Sequence, residues 1–585
     1  MKKFLTYGLL LMLLATFANA QEQLSLKQQA DRLFERYEYF KSLNLYLKLA
    51  NRNHPSTQIL ERVADCYRNI NRFEEAEAWY ARAVTDTVAS KMSHYYYAET
   101  LLYSQKTELA KQQYQIYFGK VNEPVMKALK LANCDSAAVW IKQNSGYKVT
   151  SLPNINTAFS EWGLVDNTEG GIFYTSNRVA DYGTIDNRTG NGWFWLFEAN
   201  KNGENSKPVY FANGIDGLTL TNYHIGPMAL NARGDTAYVT FTTDVEKKNI
   251  ALDKPMGKRS QRLYTRRLEL YVAVKNHGQW VVISKFPYSD FNKYSLGHAA
   301  LSKNGRVIYF ISDMPGSIGK TDIWYCEKMK DDSWGKPVNC GPTINTKEEE
   351  AFPEIGGDSL LYYSSKGLPG MGGYDIYSAK GEKTNWSVPI NLKFPVNTTA
   401  DDFCLVTKDG ITGYLSSNRQ GGQGDDDIYQ FTFAKPPIKY PAIAAKPKPE
   451  TVANPKTASP PASATGKEVY AINNIYYDLD KSNIRPDAAI ELEKLITLLK
   501  QHPNLRLNLS SHTDSRATGE YNQALSQRRS ASAIAYLVKH GISVFRITYA
   551  NFGETHLVNE CSDGVNCTPE QHQLNRRTEF RLIEE

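Results

Sequence analysis

Beyond its N-terminus, this chain of 585 residues has no long apolar run, so no later segment reads as a membrane-spanning helix. Charge of one sign is lacking too. Its 68 Lys and Arg against 62 Asp and Glu leave a formal net charge of +6, too dilute to point to nucleic acid. Catalytic signatures are equally scarce. There is no Gly-x-Ser-x-Gly elbow and no histidine pair at metal-ligand spacing, and the ten His are scattered. His224, His277 and His298 read as surface or strand-end residues. Acid pairs such as Asp401-Asp402 are too common to signal a glycosidase. The reading is of no catalytic residues, no cofactor and no resident metal. Cysteine is sparse and odd in number, seven in all, so at least one is not paired within the chain. Cys561 and Cys567 flank a short polar loop that suits a local bridge. Cys326 and Cys340 are candidates for a second, and Cys66, on an apolar helix face, reads as core.

What is present divides the chain into stretches. Lys2 and Lys3 precede the apolar run Leu9 to Leu14, which ends at the small-residue site Ala18-Asn19-Ala20. That is the pattern of a secretory signal peptide over residues 1–20, with no cysteine at the cleavage point for a lipid anchor. It predicts an exported protein, in which disulfides are allowed.

Residues 21–148 read as helices with a period of 34. Ala30, Ala64 and Ala98 are equivalent, as are Leu33, Tyr67 and Leu101, then Ser42, Ala76 and Ala110, then Tyr46, Tyr80 and Tyr114. Small residues let paired helices approach, and large ones fill the groove of the next unit. The pattern resembles the tetratricopeptide repeat (TPR), an all-α solenoid that commonly presents a concave face to a protein partner. A helical spacer that binds nothing is the plainer alternative.

Residues 149–434 change to short Tyr-, Phe- and Val-rich runs between Gly, Asn, Asp and Pro clusters, the signature of strands and turns. A second period of 52 to 53 aligns Tyr309, Tyr362 and Tyr414. It also aligns Asp322-Ile323 with Asp375-Ile376 and Asp427-Ile428, Trp334 with Trp386, and Ile344-Asn345 with Val396-Asn397. Looser copies contain Ile172 to Arg178 and Ala237 to Phe241. Each unit has room for about four short strands. The repeats resemble those of WD-type β-propellers, which implies an all-β propeller of five blades, with six allowed. The run Gly421 to Asp427 could hold calcium, but other copies carry fewer acids there, and glycine turns with a polar strand start explain them as well.

Residues 435–467 are rich in Pro, Lys, Ala and Ser and read as a semi-extended linker, which could reach on the order of 100 Å. Residues 468–585 alternate strands and helices, an α/β sandwich. Predicted strands are Val469 to Tyr477, Leu505 to Ser511, Ile547 to Phe552 and Thr578 to Ile583. Predicted helices run from Asp487 to about Gln501 and from about Glu520 to His540.

Within that stretch lie His512-Thr513-Asp514, then Tyr521 to Arg529, Gly541-Ile542, Gly553-Glu554 and Asn575-Arg576-Arg577. In this order and spacing they resemble the OmpA-like peptidoglycan-binding domain, over about a fifth of the chain. The resemblance implies that Asp514 binds the ammonium of diaminopimelate in the stem peptide and that Arg529 binds a stem carboxylate. It places Thr513, Asn522, Asn575, Arg576 and Arg577 around the pocket. One acid and one base at opposite ends of a slot suit a zwitterion. A structural ion pair between Asp514 and Arg529 is the plainer account. Where the family usually has Gly three residues after the acid, this chain has Ala517, which predicts an altered loop if positive φ is needed there.

The order of signal peptide, tetratricopeptide repeats, propeller and OmpA-like domain is similar to that of the PorE family of the type IX (Por) protein secretion machinery. That pattern also has a small β domain before the C-terminal module, where this chain has only the Pro-rich tract. The resemblance implies a periplasmic scaffold at the outer membrane and cell wall. Its partners would be peptidoglycan and envelope or outer-membrane proteins, with no nucleic acid. Wall anchoring alone is a narrower role, and a wall-anchored propeller hydrolase is the alternative of a different class.

Overall fold

A computed structural model describes residues 24–143, 145–178, 185–215, 224–242, 266–434, 440, 472–502, 505–542 and 546–584. The expected signal peptide and, apart from Tyr440, the Pro-rich tract lie outside the described residues.

Seven helices run from Leu26–Glu35 to Pro124–Trp140, each packed on the next in chain order. The 34-residue period falls on the contacts between them. Ala30, Ala64, Ala98, Ser42, Ala76, Ala110, Tyr46, Tyr80 and Tyr114 are all fully buried. Large and small side chains interlock there, so few substitutions would be accommodated. The Tyr46 hydroxyl meets Asp31, and the equivalent Tyr80 hydroxyl donates to Asp65 at 2.6 Å.

Five sheets follow, antiparallel except that Phe211–Asn213 pairs parallel with Gln279–Lys285 in the second. In chain order the strands at one edge of each are Glu161–Asp166, Ile225–Leu230, Leu296–Leu301, Glu350–Ile355 and Asp402–Thr407. Each of these strands touches that of the next sheet, and Asp402–Thr407 touches Glu161–Asp166. The strand Tyr147–Ser151, which precedes all of them, pairs antiparallel with Asp427–Phe433 at the edge of the fifth sheet.

The repeat also supplies the joints. Asn345 accepts from the N–H of Ile323 and donates to its C=O, tying the approach to the fourth sheet onto the third. Asn397 does the same to Ile376, between the fourth and fifth sheets. Asn156, ahead of the first sheet, does it to Ile428 of the fifth. A side-chain amide can satisfy one buried donor and one buried acceptor together, which suits it to this place.

The Gly-rich runs before the Asp-Ile strands serve close approach. Asp375 Oδ2 accepts from the N–H of Met371 at 2.8 Å, and Asp427 Oδ2 from that of Gln423 at 2.6 Å. A Cβ at Gly370 or Gly422 would lie 1.9 Å from that same carboxylate oxygen. Neither of these glycines has positive φ, but Gly421 has φ +84, so the run Gly421 to Asp427 does contain a positive-φ turn.

Two further expectations are corrected. Cys326 and Cys340 are both free. They lie in different apolar clusters, Cys326 with Phe286 and Phe310, Cys340 with Ile344 and Tyr363, so their side chains serve separate cores. His298, expected at the surface or a strand end, is half-buried within the strand Leu296–Leu301. It stacks on Phe352 at 4.4 Å, and burial pushes its pKa down to about 3. His224 packs against Trp193 at 4.7 Å, and burial pushes its pKa down to about 4.

The C-terminal sheet has the order Ile475–Tyr476, Arg577–Glu584, Leu505–His512, Ile547–Gly553, with only the last pair parallel. The helices Pro486–Gln501 and Gly519–Lys539 lie against it. Leu492, Leu495, Leu499, Leu507, Leu509, Ile534 and Leu537 form the core between them. Val125 of the seventh helix packs against that core.

Burial raises the acids of Glu350, from 4.5 to about 8, and Asp375, from 3.8 to about 8. Both groups then hold protons in the folded state that the unfolded chain releases, so stability falls as pH rises through that window. The melting temperature of the full chain, followed by near-UV circular dichroism, is expected to decline from pH 5 to 8. Asp375→Asn should flatten that decline, and an unchanged slope would contradict the assignment.

Candidate ligand-binding site

The site forms where the strand Leu505–His512 ends. Thr513 N–H donates to Gly553 C=O at 2.8 Å, which holds the chain against the parallel neighbour for one more residue. Asp514 follows, and the helix Gly519–Lys539 begins five residues later. Opposite, Thr568 and Gln571 form a capping box that starts the short helix Pro569–Asn575. The residue that caps its C-terminal end, Arg576, reaches the acid.

Asp514 is 5% exposed. Its Oδ2 takes Arg516 Nη2 at 2.6 Å and Arg576 Nη1 at 2.8 Å. Among the described residues the side-chain hydrogen bonds it accepts, from Arg516 and Arg576, all fall on Oδ2 and leave Oδ1 uncommitted. Burial pushes the Asp514 carboxyl up, but the hydrogen bonds from Arg516 and Arg576 outweigh it and hold the group below its ordinary 3.8. The acid is ionised at neutral pH.

Arg529 is fully buried. Its guanidinium donates to three backbone carbonyls, of Lys481 at 3.0 Å, His512 at 2.8 Å and Asp478 at 3.3 Å. It lies 4.9 Å from the Tyr477 ring centroid. Among the described residues no carboxylate forms an ion pair with it, so Asp514 and Arg529 are neighbours without being partners. Burial lowers the Arg529 pKa to about 10, which still leaves it cationic at neutral pH. A buried cation held by carbonyl dipoles and an aromatic ring, with no carboxylate bonded to it among the described residues, favours an incoming anion.

The other expected pocket residues divide. Arg576 joins Asp514 directly and also donates to Tyr477 C=O at 3.2 Å. Asn522 donates to Ala517 C=O at 3.0 Å and to Glu554, shaping the loop after the acid. Ala517 does not have positive φ, so the loop accommodates alanine without strain there. Asn575 binds Val558 N–H and Asn559. Arg577 turns to Glu579 at 2.7 Å. Both ring nitrogens of His512, Thr513 Oγ1 and Arg577 Nη1 are buried with no hydrogen-bond partner among the described residues, a pattern expected where a polar ligand completes a network.

Sequence reasoning missed Arg516 and Tyr477 as site residues and named Glu554 only within the Gly553-Glu554 motif, with no role. Arg516, two residues from the acid, carried a local signal and Tyr477 none. Cys561 and Cys567 are joined by a disulfide.

Comparison with known proteins places the similarity here. The sequence profile of the OmpA family matches residues 476–567. The peptidoglycan-associated lipoprotein of Rhizobium meliloti is 34% identical over 110 residues, 19% of this chain and 62% of that protein. Its counterpart in Brucella melitensis is 35% identical over 110 residues, 19% of this chain and 65% of that one. Outer membrane porin F of Pseudomonas fluorescens is 34% identical over 106 residues, 18% of this chain and 31% of the porin. The chain thus spans less than two thirds of the length of these relatives. A crystal structure of the peptidoglycan-associated lipoprotein from Burkholderia pseudomallei aligns at 24% identity over 19% of this chain and 89% of that one, with a TM-score of 0.18.

Asp514 has a depressed pKa, so its contribution to stability is present above 3.8 and is lost as pH falls below it. Arg516→Ala should raise the carboxyl pKa, read by NMR titration of labelled Asp. An Asp514 that titrates as in the parent would show that Arg516 does not hold it.

Proposed function

We propose that this chain is a non-catalytic anchor of the cell envelope. Its C-terminal domain, residues 468–585, binds the diaminopimelate of the peptidoglycan stem peptide. Asp514 Oδ1 takes the ammonium, Arg529 takes a carboxylate, and Thr513, Asn522, Asn575, Arg576 and Arg577 shape the pocket. The observation that carries this reading is an ionised, buried carboxylate with one oxygen uncommitted, beside a buried guanidinium that has no anionic partner. That arrangement is the complement of a zwitterion. The match to the OmpA family and the likeness to peptidoglycan-associated lipoproteins support it.

The rest of the chain fits a scaffold. We read residues 21–148 as a tetratricopeptide solenoid, since the 34-residue period coincides with fully buried positions. Residues 149–434 fit a five-bladed propeller, since inner strands meet in a cycle and the Asn–Ile joint recurs between the fifth sheet and the first. Residues 435–467 would tether the wall-binding domain. In this reading the helical and propeller units hold other envelope proteins in the periplasm, as in tethering a type IX secretion complex to the wall. The alternative of an anchored propeller hydrolase gains nothing from His224 and His298, whose rings are packed against aromatic side chains.

The test is co-sedimentation of the full chain with purified sacculi. Asp514→Asn and Arg529→Lys are expected to abolish wall binding while circular dichroism melts report folded protein. Lysine keeps the charge but not the fork that meets a carboxylate. Wild-type binding retained by both variants would refute the site.

A further inference from the structure

The segment between the strand ending at Gly553 and the helix starting at Pro569 contains no strand or helix of its own. Its course is set by side chains and by the disulfide. Two of its residues reach the ligand site. Ser515, covalently next to Asp514 and buried with it, donates its hydroxyl to Cys561 C=O at 2.6 Å. Asn559 Oδ1 accepts from Cys561 N–H at 3.3 Å and from Asn575 Nδ2 at 2.7 Å. Asn575 in turn accepts from Val558 N–H at 2.8 Å. Arg576, the next residue, makes the 2.8 Å bond to Asp514 Oδ2. The segment 558–561 therefore grips both the residue after the acid and the residue before the acid's guanidinium partner.

We propose that the disulfide-closed loop Cys561–Cys567 positions the stem-binding carboxylate, so that the grip of this domain on the stem peptide depends on the loop being oxidised. This rests on the reading of Asp514 and Arg529 as the ligand-binding pair. Cys561 is buried at 1% exposure, while residues 562–566 form an exposed turn that a small thiol reagent can reach. A loop without regular structure pays conformational entropy for its order, and the cross-link lowers that cost by limiting the open states. Reduction by a dithiol transfers two electrons and two protons to the S–S bond. It yields two thiols in the chain and one disulfide in the reductant. The Cys561 carbonyl and Asn559 then lose their fixed place, and Ser515 and Asn575 lose the contacts that aim Asp514 Oδ1 at the pocket.

The experiment titrates the full chain by calorimetry with a soluble stem tripeptide ending in diaminopimelate. Oxidised protein is compared with protein reduced by dithiothreitol and alkylated. Binding is expected to weaken about tenfold on reduction, the effect of one lost buried hydrogen bond in the positioning chain. Ser515→Ala with the disulfide intact should weaken it to a similar degree, and Ser515→Thr, which keeps the hydroxyl, should restore it. A loop that matters only for stability would move the melting temperature and leave the Ala and Thr variants alike in affinity. Equal affinity of oxidised, reduced and Ser515→Ala protein overturns the proposal. If oxidised wild type fails to bind the tripeptide, the ligand-site reading falls first and this inference with it.

Discussion

Charge taken out of water must be compensated, and the way each buried charge is compensated separates scaffold from site in this protein. In the sheets, acids such as Glu350 and Asp375 are enclosed by their own loops, and burial moves them toward the neutral form. A neutral acid costs little inside a packed sheet. Asp514 is also buried, yet two guanidinium groups reverse the outcome and keep it charged. Arg529 stands beside it as a cation held by carbonyls and the Tyr477 ring. In the proposed reading its charge meets a ligand carboxylate, while Asp514, paired on Oδ2, turns Oδ1 to the ammonium.

The pocket draws on parts that are distant in the chain. Tyr477 to Lys481 provides a ring and carbonyls, His512 to Arg516 the acid and one partner, the helix from Gly519 the buried guanidinium, and Arg576 the second partner. The sheet brings them together, because Leu505–His512 lies between its parallel neighbour and Arg577–Glu584. The larger sheets use a different economy. There one local device, an Asn side chain bridging the Ile that follows an Asp, joins successive sheets and recurs between the last and the first. Repetition serves a scaffold, whereas a binding site needs an arrangement that occurs once.

Much was legible in the residues themselves. A period of 34 or of 52 to 53 is visible because each unit must bury the same faces against its neighbours, and burial constrains residue type. The expected strand Val469 to Tyr477 is realised only at Ile475–Tyr476, with residues 469–471 outside the described residues, whereas the other expected helices and strands of the C-terminal stretch fall within a residue of their bounds, since long amphipathic segments report their own periodicity. Asp514 and Arg529 stood out through the motifs around them. The short helix Pro569–Asn575 was missed, being too brief to show a period.

Tertiary structure alone decided who meets whom. Arg576 lies 62 residues from Asp514 and nothing local announces their contact. Cys326 and Cys340 are near in sequence but serve different cores, so proximity along the chain misled. His298 looked like a strand-end residue and instead stacks on Phe352 of another sheet. Glycine before the Asp-Ile strands suggested positive φ, which Gly421 adopts, but at Gly370 and Gly422 the constraint is the close approach of the carboxylate. By itself the sequence determined the kinds of element and singled out Asp514 and Arg529 as candidates, because periodicity and side-chain chemistry are local properties. Ion-pair partners, unpaired cysteines and the free oxygen of Asp514 depend on distances through space, which only the packed chain sets.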